Sequence, residues 1–177
     1  MENPDFESNE EFEETIHEAQ PRIVAVGCGG AGCNTISRLM DEGVDGIDTV
    51  TVNTDAQDLL HAESDSKILI GKELTGGLGA GSDPSVGMEA ARENLESIKD
   101  ELYGAEMVFV TCGLGGGTGT GAGPVVAEVA KRMDALTVGV LTVPFEAEGQ
   151  RRMNNAESGL ERFLENLDSV ILIRDER

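Results

Sequence analysis

Residues Gly113 to Pro124 read Gly-Leu-Gly-Gly-Gly-Thr-Gly-Thr-Gly-Ala-Gly-Pro. Met107-Val-Phe-Val-Thr111 leads in with the character of a strand. Pro124-Val-Val-Ala-Glu-Val-Ala-Lys-Arg-Met133 leads out with that of a helix. A run this rich in glycine reads as a ligand loop rather than a packing element. Glycine accepts positive φ and lets other atoms approach closely. Successive backbone N–H groups can then line a concave nest that faces an anion. The helix that follows adds free N–H donors and the positive end of its dipole. The hydroxyls of Thr118 and Thr120 are further donors. The chemistry implied is binding of a di- or triphosphate. No Gly-Lys-Ser/Thr follows, so this is not a Walker loop, and no lysine supplies a point charge.

The chain of 177 residues has the length of one domain with a real core. Hydrophobic content is 39% and aromatic content 3%, so the core must come from Val, Ile, Leu, Ala and Met. Formal net charge is −21, from 34 acidic and 13 basic residues, the latter mostly arginine. That balance excludes a nucleic-acid surface. It also sets a problem, because a polyanion must bind a polyanion. Backbone donors and a divalent metal solve it locally. A saline cytoplasm would solve it globally, since the Debye length is roughly 3 Å near 1 M salt. The acid-rich, lysine-poor composition predicts a halophilic protein, against the plainer reading of an acidic tail on an acidic domain. Cys28, Cys33 and Cys112 form no Cys-x-x-Cys pair, and the two histidines, His17 and His61, lie apart from them. Neither a zinc site nor a disulfide framework follows, and the thiols suit a reducing cytoplasm. The N-terminal segment is acidic and no long apolar run occurs, which predicts neither a secretory signal nor membrane insertion.

Residues 1–21 are read as an acidic, disordered or weakly helical tail, with a helix over Glu10 to Ala19 as the alternative. From Arg22 apolar runs alternate with amphipathic stretches. Strands are predicted at 22–26, 48–52, 67–70, 107–111, 136–143 and 170–173. Helices are predicted at 35–42, 55–61, 84–102, 124–133 and 148–167. Ser82 or Asp83 caps the third of these, with Pro84 in its first turn. Alternating β and α with buried strands predicts a three-layer α/β fold, a mostly parallel, Rossmann-like sheet with helices on both faces. In such sheets ligands bind beyond the carboxyl ends of the strands.

Four further loops follow strands. Gly27-Cys28-Gly29-Gly30-Ala31-Gly32-Cys33-Asn34 contains Gly-x-Gly-x-x-Gly, the dinucleotide fingerprint, and Asp55 lies about 23 residues after Gly32. An ordinary NAD-binding domain therefore competes on this loop. In Asn53-Thr54-Asp55-Ala56-Gln57, Asp55 either reaches a phosphate-bound Mg²⁺ through water or caps a helix. Gly76 to Pro84 is either a γ-phosphate loop or a flexible connector. In Val143 to Arg152, Glu148 and Arg152 either flank the ribose and base or form an i,i+4 surface ion pair worth about 0.3–0.5 kcal/mol.

Taken together the loops carry a family resemblance. Gly115-Gly-Gly-Thr-Gly-Thr-Gly121 matches the tubulin/FtsZ signature loop. Gly29-Gly-Ala-Gly32 with Asn34, Asn53-Thr-Asp-Ala-Gln57, Gly79-Ala-Gly-Ser-Asp-Pro84, and Pro144-Phe145 with Glu148, Gly149 and Arg152 match FtsZ rather than tubulin. From about Arg22 to Ile173, within a domain read as residues 22–177, the chain thus resembles the nucleotide-binding domain of an archaeal-type FtsZ, a GTPase that polymerises head to tail into the cell-division ring. The resemblance implies GTP or GDP with Mg²⁺ as ligands. It implies nucleotide contacts from Gly29, Gly30, Ala31, Gly32, Cys33 and Asn34, and from Gly115, Gly116, Gly117, Thr118, Gly119 and Thr120. Asp55 with Gly79, Ala80 and Gly81 would lie near the γ-phosphate and Mg²⁺. Glu148 and Arg152 would lie at the ribose and base. It implies a cytoplasmic, mid-cell location, self-association, and membrane-tethering and division proteins as further partners. Two departures stand out. Arg174-Asp175-Glu176 stands where the family has Pro-Asn-Asp, and the 177 residues include neither the family's central helix, its water-activating acidic loop nor its second domain. No catalytic residue is therefore assigned, and slow hydrolysis is expected of these residues alone. A non-catalytic module that caps filaments is the alternative.

Overall fold

The computed structural model describes residues 8–174. Residues 1–7 of the acidic segment, and Asp175 with Glu176, lie outside the described residues. The elements run α1 (Asn9–Ala19), β1 (Ile23–Cys28), α2 (Gly29–Asp41), β2 (Ile47–Asn53), α3 (Ala56–His61), β3 (Ser66–Leu69), α4 (Lys72–Thr75) and α5 (Pro84–Glu93). They continue as α6 (Leu95–Leu102), β4 (Met107–Gly113), α7 (Thr118–Arg132), β5 (Leu136–Val143), α8 (Gln150–Leu164) and β6 (Ser169–Arg174).

All six strands are parallel, in the order β3-β2-β1-β4-β5-β6. Right-handed crossovers place α2 and α3, which step leftward from β1, on one face, and α5 to α8, which step rightward, on the other. Val24, Val26 and Cys28 align with Val108, Val110 and Cys112 across the β1–β4 register. They share the main core with Val125, Val126, Ala130 and Phe163. The second face holds a smaller cluster of Cys33, Leu59 and Ala62. There α2 lies against β1, β2 and β4, while Ile171 and Ile173 of β6 stay 53% and 45% exposed.

The strands fall where they were expected, because parallel strands buried on both faces read as continuous apolar runs. The helices differ in four places. α2 and α7 begin six residues earlier than expected, at Gly29 and Thr118, so most of both glycine runs is helix. Pro124 is buried inside α7 rather than starting it. The helix expected over 84–102 breaks at Asn94 (φ −113°, ψ 28°), whose Oδ1 accepts the Gly71 N–H at 2.9 Å. The single-turn α4 was not foreseen. In the acidic segment, Asn9–Ala19 form a helix, matching the alternative read over Glu10 to Ala19. Ser8 and Glu11 form a reciprocal capping box at its start, and none of its residues is buried.

Candidate functional site

The strand order reverses direction between β1 and β4, and a ligand crevice opens at such a switch point. Both glycine runs leave the sheet there. The start of α2 leaves the N–H groups of Gly29, Gly30 and Ala31 without acceptors inside the helix, and α7 does the same for Thr118, Gly119 and Thr120. The two helix ends abut. A Cβ on Gly29 (φ +72°) would lie 2.8 Å from the Gly119 nitrogen. Two positive dipole ends, one from each layer, therefore converge on one point.

The cavity at this point has a volume of about 420 Å³. It is walled by the two helix starts, by Asn53 to Asp55, by Leu78, Gly79, Gly81 and Ser82, and by Arg152. Among the described residues Arg152 is the one cationic side chain in the wall, against the carboxylates of Asp55 and Asp58. Attraction for an anion must therefore come mainly from backbone dipoles.

Side-chain bonds hold the loops in register. The buried hydroxyls of Thr54 and Thr118 meet at 2.7 Å and tie the end of β2 to the start of α7. The Gly115 N–H donates to Thr120 Oγ1 at 2.9 Å. Asn155 of α8 donates to the carbonyls of Gly115 (3.2 Å) and Ser82 (3.3 Å), joining two loops. Asp55 Oδ1 accepts the Gln57 and Asp58 N–H groups at 2.9 and 3.1 Å and so caps α3. Asp83 caps α5, and its hydrogen bonds from Ser85 hold its carboxyl below the usual range.

Residues 22–177 match the tubulin/FtsZ GTPase-domain family. The chain belongs to the tubulin/FtsZ family. It is 57% identical over 169 residues to cell division protein FtsZ 1 of Thermococcus kodakarensis, covering 96% of this chain and 45% of that protein. It is 55% identical over 174 residues to FtsZ 1 of Pyrococcus furiosus, covering 98% and 47%. An empty FtsZ dimer of M. jannaschii superposes with a TM-score of 0.90 at 52% identity, covering 98% of this chain and 50% of that one. A protofilament of CetZ2 from Haloferax volcanii with bound GTPγS gives 0.79 at 30% identity, covering 86% and 49%. The chain thus spans about half the length of the curated relatives it matches. The plain NAD-binding reading loses its ground, since the family model takes in both glycine runs.

The FtsZ-type loops do not all face the cavity. Gly29, Gly30, Ala31, Asp55, Gly79, Gly81, Gly116, Gly117, Thr118, Gly119 and Arg152 line it. Gly32, Cys33, Asn34, Ala80, Gly115, Thr120 and Glu148 do not. Gly32 lets α2 sit on the sheet, since a Cβ there would meet the Thr111 carbonyl oxygen at 2.5 Å. Cys33 is buried and faces the Gly27 and Val52 carbonyls. Asn34 is exposed on α2. Thr120 is buried beneath the signature loop, where its Oγ1 accepts the Gly115 N–H. Glu148 accepts the Phe145 N–H at 3.0 Å and pairs with Arg152 at 3.1 Å, so the surface ion pair is real and Arg152 also reaches the cavity.

The glycine-run expectation needs a correction too. A Cβ on Gly121 would meet the Pro84 carbonyl oxygen at 2.0 Å, and one on Gly123 would meet Phe163 at 2.3 Å. These two glycines let α5 and α8 close on α7, so the run is in part a packing element. Asn53, Thr54, Asp58, Leu78 and Ser82 line the site without having been singled out as ligand contacts, and Asn155 braces it. Asn53 and Thr54 lay within the matched motif. Asn155 carried no sequence signal, because both its partners are distant in the chain. Burial pushes the Cys33 thiol up to about 12 and raises Cys28 and Cys112 as well. Three buried neutral thiols suit packing, and no group of metal-ligating side chains occurs among the described residues.

Proposed function

We propose that the chain binds guanine nucleotide in the 420 Å³ cavity and is the nucleotide-binding part of an FtsZ-type cell-division GTPase. The observation that carries this reading is the meeting of two helix N-termini, Gly29 against Gly119, at the switch point. Free amides of Gly29 to Ala31 and Thr118 to Gly119 bind the phosphates, with Gly116 and Gly117 beside them. Gly79 and Gly81 approach the terminal phosphate, and Arg152 lies toward the sugar and base. Amides already aimed at the phosphates stabilise the charge that develops in transfer to water. Asp55 fits a role near Mg²⁺, because its capping bonds use Oδ1 alone and Oδ2 takes no hydrogen bond. Bound there through water, Mg²⁺ would neutralise charge on the phosphates.

In the assembled protein, hydrolysis takes place between head-to-tail protomers of a filament in the cytoplasmic division ring. The 177 residues alone bind but turn over slowly, since among the described residues the only carboxylates in the cavity wall are Asp55, engaged as a cap, and Asp58. The test is a calorimetric titration with GTP, GDP, ATP and NAD, with and without Mg²⁺, at low and high salt. Tight GTP and GDP binding with weak ATP and NAD binding is expected. Preference for NAD, or no guanine preference, would overturn the proposal. Fast GTP turnover by these residues, rising with their concentration, would overturn the statement about hydrolysis.

A further inference from the structure

None of the residues of α1 (Asn9–Ala19) is buried. Its apolar residues nonetheless form a stripe. Phe12, Ile16 and Ala19 recur at i, i+4 and i+7, which places them on one face. Phe12 and Ile16 are 51% and 61% exposed. Glu11 and Glu18 border the stripe on one side and Glu13 on the other, with Glu10 and Glu14 behind. The helix holds no Lys or Arg, and among the described residues none of these five carboxylates is in an ion pair. A helix of 11 residues is marginal in water by itself and gains its stability from a surface under its apolar face.

A surface of matching chemistry lies between α6 and α7, in a groove of about 390 Å³. Its apolar lining is Leu95, Tyr103, Val129 and Met133, with Tyr103 78% exposed. Its rim carries Arg92, Lys99 and Arg132. Arg92 and Arg132 share the one carboxylate of Glu128, at 3.8 and 2.7 Å, so a guanidinium charge is left over. Lys99 pairs with Glu96 at 2.8 Å on an exposed surface, where a second carboxylate can join at little cost. In a chain with 34 acidic and 13 basic residues, three cations around an apolar floor stand apart from the prevailing charge. No α1 residue of the same chain lines this groove. His17 and Gln20 lie instead beside Met40, Val44 and Asp45, on the α2 side of the sheet.

We propose that α1 of one copy docks into the α6–α7 groove of a second copy. Phe12 and Ile16 enter the apolar floor, and Glu11, Glu13 and Glu18 face the cationic rim. This is recognition of an amphipathic helix by a groove, with anchors one and two turns apart. Charge selects the pairing. With a net charge of −21, two copies repel wherever like surfaces meet, so close approach requires the acidic helix against the rim of Arg92, Lys99 and Arg132. The groove shares no residue with the cavity between α2 and α7, so the proposal does not rest on the nucleotide reading.

The test is made on the nucleotide-free 177-residue protein at about 0.15 M salt, where the Debye length is about 8 Å. Sedimentation equilibrium is expected to show concentration-dependent self-association. The double variant Phe12→Ser/Ile16→Ser should weaken it about 10- to 100-fold with an unchanged melting temperature, because neither side chain is buried. Lys99→Glu/Arg132→Glu should weaken it on the same scale. Cross-linking then locates the contact. An isotope-labelled Asn9→Cys protein is mixed with unlabelled Asp100→Cys and treated with a short bismaleimide, the three native cysteines being buried. A cross-link between the labelled and unlabelled chains is expected, and it should vanish when Phe12→Ser/Ile16→Ser is added to the Asn9→Cys protein. A protein that stays monomeric at every concentration would overturn the proposal. So would association that survives Phe12→Ser/Ile16→Ser, which would assign it to another surface. Absence of the mixed cross-link would do the same, including the case in which α1 folds onto the groove of its own chain.

Discussion

A methyl group placed on Gly29 tests the claim that two helix N-termini are pressed together to make the site. Gly29 has φ +72°, where an L-residue costs roughly 1–2 kcal/mol. Its new Cβ would lie 2.8 Å from the Gly119 nitrogen and 3.2 Å from the Gly119 Cα. Both are backbone atoms of α7 and cannot rotate aside. Overpacking of that kind costs about 1–3 kcal/mol. The sum, about 2–5 kcal/mol, corresponds to a fall in melting temperature of roughly 10 °C for a domain of this size. Gly43→Ala is the control, since Gly43 has φ +68° with nothing within 4 Å of its Cβ position. It should carry the backbone cost alone, about 1–2 kcal/mol. In the proposed nucleotide site, moving the Gly119 amide would also spoil a phosphate donor, so fluorescent GDP should bind Gly29→Ala about 10- to 100-fold more weakly and Gly43→Ala as the parent does. Thermal melts and nucleotide titrations of the three proteins decide the matter. Equal melting temperatures and equal affinities for Gly29→Ala and Gly43→Ala would refute the convergence argument.

Gly121→Ala should lower stability by about 1–3 kcal/mol in urea, because its Cβ would meet the Pro84 oxygen at 2.0 Å and prise α5 from α7; a neutral substitution would show that the glycine is not there for packing. With a net charge of −21, raising KCl toward ~1 M should raise the melting temperature by screening self-repulsion, and a flat or falling response would remove the case for a salt-adapted surface. The Cys33 thiol, with a folded-state pKa of about 12 against an ordinary 9.0, favours the folded state fully below about pH 9. That stability drains away as pH rises from about 9 to about 12, because the unfolded chain ionises first. Cys33→Ala should therefore lose less stability than the parent over that range, and identical pH profiles would contradict the burial of this thiol.

The strands were legible because a parallel strand covered on both faces shows as an unbroken apolar run, and Leu136 to Val143 was read to the residue. The location of the site was legible for a related reason. Glycine loops directly after strands, in a sheet whose order reverses, can only gather at the switch point. The helix starts were not legible. Glycine is a poor helix former, so local propensity argues for a loop at Gly29 and at Thr118. Packing overrides it there, since Gly32 against Thr111 and Gly121 against Pro84 leave room only for hydrogen.

By itself the sequence determined the α/β order of elements and the family, and it carried the proposal of a lysine-free anion site, because these depend on local runs and on motifs contiguous in the chain. Only the tertiary structure decided which glycines face the cavity and which are spacers, because that depends on what lies within a few ångströms across the fold. It also assigned Asn155 its bracing role, turned Thr120 inward and left the Asn53 amide without a partner. Hydrogen bonds between residues far apart in sequence leave no periodicity to read, whereas a buried polar atom must be accounted for one bond at a time.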